Sequence, residues 1–87
     1  MPYQLIFHKN AEKGLKALQS QPSLLKKLAR FFEELARDPF GVSAKRLHGE
    51  WEGCFSYRAG PIRVIYEIKK QALMIHVLEI GSRGDIY

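Results

Sequence analysis

Cys54-Phe-Ser-Tyr-Arg-Ala-Gly-Pro-Ile-Arg-Val-Ile-Tyr-Glu-Ile68 is the stretch that decides the fold. Two β-rich runs, Gly53–Arg58 and Ile62–Ile68, flank Ala59-Gly60-Pro61. Glycine tolerates positive φ, and proline fixes φ and has no N–H to donate, so the segment reads as a β-hairpin. Side chains in a strand alternate with a period of two. Ile62, Val64, Tyr66 and Ile68 therefore point one way, and Arg63, Ile65 and Glu67 the other. With pairing symmetric about the turn, Arg58 and Arg63 lie side by side, two positive charges whose repulsion an anion between them would relieve.

Working outward, Leu73–Ile80 is apolar at most positions on both faces, the pattern of a strand interior to a sheet. Toward the N-terminus, Tyr3–His8 reads as a first strand, with Tyr3, Leu5 and Phe7 on one face. A helix follows from Lys9-Asn10, with Asn10 as its expected N-cap and Ala11, Leu15 and Leu18 as one apolar stripe. Gly14 interrupts it at a cost of about 1 kcal/mol relative to alanine, which close packing would explain. Ser20-Gln-Pro22 breaks this helix, and Pro22 opens a second over Pro22–Arg37, with Leu24, Leu28, Phe31 or Phe32, and Leu35 inward. Asp38-Pro39 ends it. Phe40–Glu50 is a connection carrying Lys45-Arg46 and a short extended piece. The order βααβββ predicts an α+β fold: an antiparallel-rich β-sheet with an N-terminal pair of α-helices packed on one face. The other face is left to solvent or to a ligand.

Eighty-seven residues make a single domain, residues 1–87. At 46% hydrophobic with ten aromatic Phe, Tyr and Trp residues, the chain has enough apolar material for a core, which argues against disorder. A net charge of +5 points to a polyanionic partner such as nucleic acid or an acidic protein segment. No apolar run approaches the roughly 20 residues that span a bilayer, and a signal-peptide pattern is absent, so no membrane partner is expected. One cysteine, Cys54, cannot form an internal disulfide and fits a reducing cytoplasm. Cys54 and three scattered histidines give no metal-ligand spacing, so neither metal nor cofactor is expected.

The residues that fit a chemistry are Arg58, Arg63, Arg83 and Tyr87, with Lys45 and Arg46 behind them. RNA is cut without a metal when a 2′-hydroxyl attacks the adjacent phosphate. That reaction needs a proton acceptor, a donor for the leaving 5′-oxygen, and cations where charge builds on phosphorus. Arginine suits the last task because its planar fork grips phosphate bidentately and stays charged. A tyrosine stacks on a base or transfers a proton, and Arg83 stands four residues before Tyr87. Each has a structural alternative. Arg63 also fits a solvated sheet residue paired with Glu67 or Glu79; Arg58 and Lys45-Arg46 also fit ordinary surface charges; Arg83 also fits a partner for Asp85. Tyr87 also fits a frayed terminus. His8, His48 and His76 read as structural imidazoles, Trp51 as a core or edge-packing aromatic with base stacking as the lesser alternative, and Cys54 as a small strand hydrophobe.

Taken together, several segments resemble the RelE/ParE superfamily of bacterial and archaeal type II toxins. They are Ala11-Glu-Lys-x-Leu15-x-x-Leu18, Glu34-Leu-Ala-Arg-Asp-Pro39, Lys45-Arg-Leu-x-Gly49, Arg58-Ala-Gly-x-x-Arg63-Val-Ile-Tyr-Glu67 and Gly81-x-Arg83-x-Asp85-x-Tyr87. The resemblance implies a compact α+β toxin bound as a hetero-oligomer by a cognate antitoxin. Short helices and the Arg83-x-x-x-Tyr87 tail look more like the RelE branch, which cuts mRNA in the ribosomal A site, than the ParE branch, which poisons DNA gyrase. Carried over to this sequence, the resemblance makes Arg63, Arg83 and Tyr87 the catalytic set of a ribosome-dependent mRNA endoribonuclease (an mRNA interferase). Lys45, Arg46 and Arg58 then serve as RNA contacts. One departure stands out: Cys54 and Ser56 occupy the strand before the turn, where the RelE branch carries two lysines. A ParE-like gyrase inhibitor and a catalytically weak antitoxin-binding module therefore stay open as alternatives.

Overall fold

The structure of the chain is a computed structural model that describes residues 2–82. The elements are β1 (Gln4–Phe7), α1 (Lys9–Ala17), α2 (Pro22–Arg37), β2 (Lys45–Arg46), β3 (Cys54–Ala59), β4 (Ile62–Lys69) and β5 (Met74–Ser82). The extended piece around the basic pair is thus a two-residue strand, and the sheet has five strands in the order β1-β5-β4-β3-β2. β1 runs parallel to β5, and every other pairing is antiparallel. The apolar run near the C-terminus is interior as expected, with β1 on one side and β4 on the other.

Both helices lie on one face. Ala11 and Leu18 of the first helical segment, and Leu28, Phe31 and Leu35 of α2, pack with Ile62, Val64 and Tyr66 of β4 and Ile75, Val77 and Ile80 of β5. Gly14 is explained by this packing: a Cβ there would overlap the Ile80 carbonyl oxygen, so α1 rests directly on the backbone of β5. The Asn10 expectation is corrected. His8 is the N-cap residue and makes no side-chain cap, while the Asn10 side chain donates from Nδ2 to Glu79 Oε1 at 3.2 Å. The turn between β4 and β5 is also shifted by one residue, from the expected 69–72 to 70–73. Leu73 sits in it with φ of 54°, left-handed, and the strand begins at Met74.

Tyr66 is 1% exposed, and burial pushes its hydroxyl from 10.0 up to about 12. A phenol harder to ionise when folded holds its proton more tightly than the unfolded chain does. Its contribution is complete below the unfolded value and is lost as pH rises from about 10 to about 12. The loss amounts to roughly 2–3 kcal/mol. Tyr66→Phe is expected to lack this alkaline decline relative to the parent, measured by urea unfolding at neutral pH and near pH 11.

Candidate functional site

The hairpin forms with a tighter turn than its sequence implied. Ala59 pairs with Ile62 inside the ladder, leaving only Gly60-Pro61 as the loop. Gly60 has φ of 61°, and Pro61 must be negative, the sign pattern of a type II′ turn with glycine first. The symmetric register follows: Arg58 stands opposite Arg63, and Arg63 stands opposite Gly81 on its other side. Two guanidinium-bearing side chains thus share one end of the sheet face that points away from the helices. Arg58 is anchored, donating from Nε to the Gly60 carbonyl at 3.2 Å. Glu67 answers Lys69 Nζ at 3.4 Å, and Glu79 accepts from Asn10.

One row further along, Lys45, Ser56, Ile65 and Glu79 lie across four adjacent strands. The expectation of a face left open fails here. Ile65 is 0% exposed, Ser56 5% and Cys54 6%, although all three project from the side opposite the helices. A 3-10 turn, Gly49–Trp51, precedes β3, and Trp51 lines a cavity with His8, Leu78 and Glu79 from the far edge of the sheet. To reach them this turn must lie across the face. Among the described residues, Arg58 and Arg63 place positive charge at the Gly60-Pro61 end of this face, with Lys45 one row away. Among the described residues, Ser56 Oγ is buried and has no hydrogen-bond partner. Burial, with Glu67 adding to it and Lys69 opposing, raises the Cys54 thiol above 9.0. Cys54 is thus a buried thiol that favours its protonated form, packed as the small strand hydrophobe the sequence suggests.

The basic pair is split. Lys45 shares the Arg63 face, while Arg46 stands opposite Phe55 with its guanidinium 5.9 Å from that ring, on the helix side. Arg83 and Tyr87 lie outside the described residues. Sequence reasoning missed one contact entirely: His8 Nε2 and His76 Nδ1 are 2.8 Å apart, joining β1 to β5. One ring must donate and the other accept, so at most one of them carries a charge while the bond stands. The two are 68 residues apart, and only the parallel register of β1 and β5 brings them together. Among the described residues, no three His, Cys, Asp or Glu side chains cluster as metal ligands would, and no helix is long and apolar enough to cross a membrane.

A family model described as the ParE toxin of type II toxin-antitoxin systems matches residues 5–87. Toxin RelG of Mycobacterium tuberculosis is 35% identical over 88 positions, covering 100% of this chain and 98% of that protein. The toxin-antitoxin complex RelBE2 from the same organism contains a chain 31% identical with a TM-score of 0.79, over 95% of this chain and 100% of that one. The DinJ-YafQ toxin-antitoxin complex of E. coli contains a chain with a TM-score of 0.83 over 100% of this chain and 99% of its own. At 14% identity that last likeness speaks for the fold alone.

Proposed function

The chain belongs to the ParE toxin family of type II toxin-antitoxin systems, and on that premise we propose that it cuts mRNA in the ribosomal A site by metal-independent attack of the 2′-hydroxyl. The observation that carries this reading is the pairing of Arg58 with Arg63 at the exposed end of the sheet. In such a pair one guanidinium suits the phosphorane-like transition state, in which negative charge accumulates on the non-bridging oxygens, and its neighbour suits the adjoining phosphate. In the reaction, O2′ bonds to phosphorus as the P–O5′ bond breaks, leaving a 2′,3′-cyclic phosphate and a 5′-hydroxyl. The 2′-hydroxyl proton leaves to a base, and the departing O5′ takes up a proton. Arg63 is assigned to the charge on phosphorus. Arg83 and Tyr87 are assigned, from their motif alone, to the same charge and to proton transfer or stacking. Lys45 and Arg58 are assigned to the flanking RNA backbone; Arg46, on the other face, is not grouped with them.

Regulation in this reading falls to a cognate antitoxin in a cytoplasmic hetero-oligomer, with an acidic or amphipathic segment neutralising the basic end of the sheet. In support, the similar chains of RelBE2 and DinJ-YafQ were each solved within a toxin-antitoxin complex. A second reading has its own observation. Cys54 and Ser56 are buried and uncharged where the RelE branch has lysines, which suits a protein that poisons gyrase by contact alone. Primer extension on translated mRNA, with excess EDTA added to cell-free reactions, separates the two. New 5′ ends at the cleavage sites are expected, with a 2′,3′-cyclic phosphate on the upstream fragment when that fragment's end is analysed. Uncut mRNA together with stoichiometric inhibition of gyrase supercoiling would overturn the ribonuclease reading in favour of the second.

A further inference from the structure

We propose that the cavity under Trp51 is a pocket for one nucleobase, selective for bases that carry an exocyclic amino group. Its placement next to the cleaved phosphate rests on the ribonuclease reading; the pocket itself does not. The cavity is about 320 Å³ and is lined by His8, Lys9, Asn10, Trp51, Leu78 and Glu79. That volume lies at the lower end for small-molecule sites, the size class of a single base or nucleoside.

Its walls are those that unstacked RNA bases use. Trp51 supplies a broad aromatic face, and single-stranded bases stack on such faces whatever their identity. Selectivity comes from Glu79. Its Oε1 accepts from Asn10 Nδ2, which fixes the carboxylate, and a carboxylate offers a base only acceptors. The amino groups of cytosine, adenine and guanine satisfy it, whereas uracil presents carbonyl oxygens on either side of its one N–H. His8 is held in place from behind by its bond to His76. Lys9 supplies positive charge at the rim for the sugar-phosphate.

The strand geometry is arranged for this. The β4–β5 register slips between Ile65 and Tyr66: Tyr66 faces Val77, while Ile65 faces Glu79. Leu78 is the extra residue of a β-bulge, and bulges re-aim side chains. In a regular strand Leu78 and Glu79 would project from opposite faces, but here both line one cavity. Glu79 stands opposite Ile65, two residues along β4 from Arg63. As diagonal neighbours on adjacent strands, Glu79 and Arg63 lie roughly 7–8 Å apart, a spacing that one nucleotide bridges.

The chain has a single tryptophan, so its fluorescence reports on this pocket alone. The full-length toxin is titrated with cytidine, adenosine, guanosine and uridine, which lack phosphate and so bypass the arginines. Saturable quenching is expected from at least one amino-bearing nucleoside, with uridine roughly tenfold weaker or more. Glu79→Gln, which adds a donor, is expected to shrink that discrimination to about twofold or less, and Arg63→Ala to leave it unchanged. Absence of saturable quenching, equal response to uridine, or unaltered discrimination in Glu79→Gln would each overturn the pocket. Cleavage mapping keeps the two readings apart. RNA cut by a protein that shows no quenching defeats the pocket and leaves the ribonuclease reading standing. Quenching by a protein that never cuts RNA does the reverse.

Discussion

Arg63→Ala is expected to slow single-turnover mRNA cleavage by roughly 100-fold or more, the usual consequence of removing one preorganised donor from a charge-building oxygen. The size of the effect comes from where the residue is held. Arg63 lies on β4, hydrogen-bonded between β3 and β5, so its backbone cannot drift to compensate, and its Cα neighbours across the strands are Arg58 and Gly81. Arg63→Lys should recover only part of the rate, because an ammonium keeps the charge but loses the planar two-point grip. Arg58→Ala should cost less than Arg63→Ala, since Arg58 is exposed and its Nε is committed to the Gly60 carbonyl. A thermal midpoint recorded beside each rate separates loss of a charge from damage to the sheet. Cleavage by Arg63→Ala at the parent rate, in a folded protein, would remove the arginine from the mechanism.

The hairpin was readable because every signal in it is local. Alternation assigned Ile62, Val64 and Tyr66 to the core, and Gly60-Pro61 fixed the register that sets Arg58 against Arg63. Helix boundaries followed from Pro22 and Pro39 for the same reason. What was not readable depends on distant parts meeting. Ile65 alternates with Arg63 and Glu67 and so reads as a solvent-facing position, yet it is fully buried on a face that the 49–51 turn crosses. Nothing in the spacing of residues 47–53 announces that Trp51 reaches the β1–β5 edge. Asn10 is of the right type for an N-cap, but Glu79 takes its side chain as a hydrogen-bond partner across 69 residues. The tail half of the proposed site, Arg83 and Tyr87, rests on the motif Gly81-x-Arg83-x-Asp85-x-Tyr87 and on the family that carries it.

Phe31→Ala is expected to destabilise the isolated protein by about 3–5 kcal/mol, the range for truncating a buried aromatic. Phe31 is 3% exposed and stacks on Tyr57 with ring centroids 3.7 Å apart and planes 7° from parallel. It also lies 5.9 Å from the Tyr66 ring and 5.6 Å from that of Phe32. One side chain therefore ties α2 to both β3 and β4, the two strands that carry Arg58 and Arg63. An 87-residue domain has on the order of 4–13 kcal/mol in total, so the loss leaves the free toxin close to unfolding. The urea midpoint should fall with little change in slope, and a midpoint equal to the parent's would show that the stack carries no stability. Phe31→Leu fills most of the space and should lose far less. Binding adds stability by mass action, about 2.7 kcal/mol at a partner concentration 100 times its Kd. Co-production with the antitoxin should then recover Phe31→Ala as soluble complex, while the toxin alone accumulates unfolded. That contrast would locate the effect in the folding equilibrium rather than in the catalytic face, because Arg63 and its neighbours are untouched by the substitution.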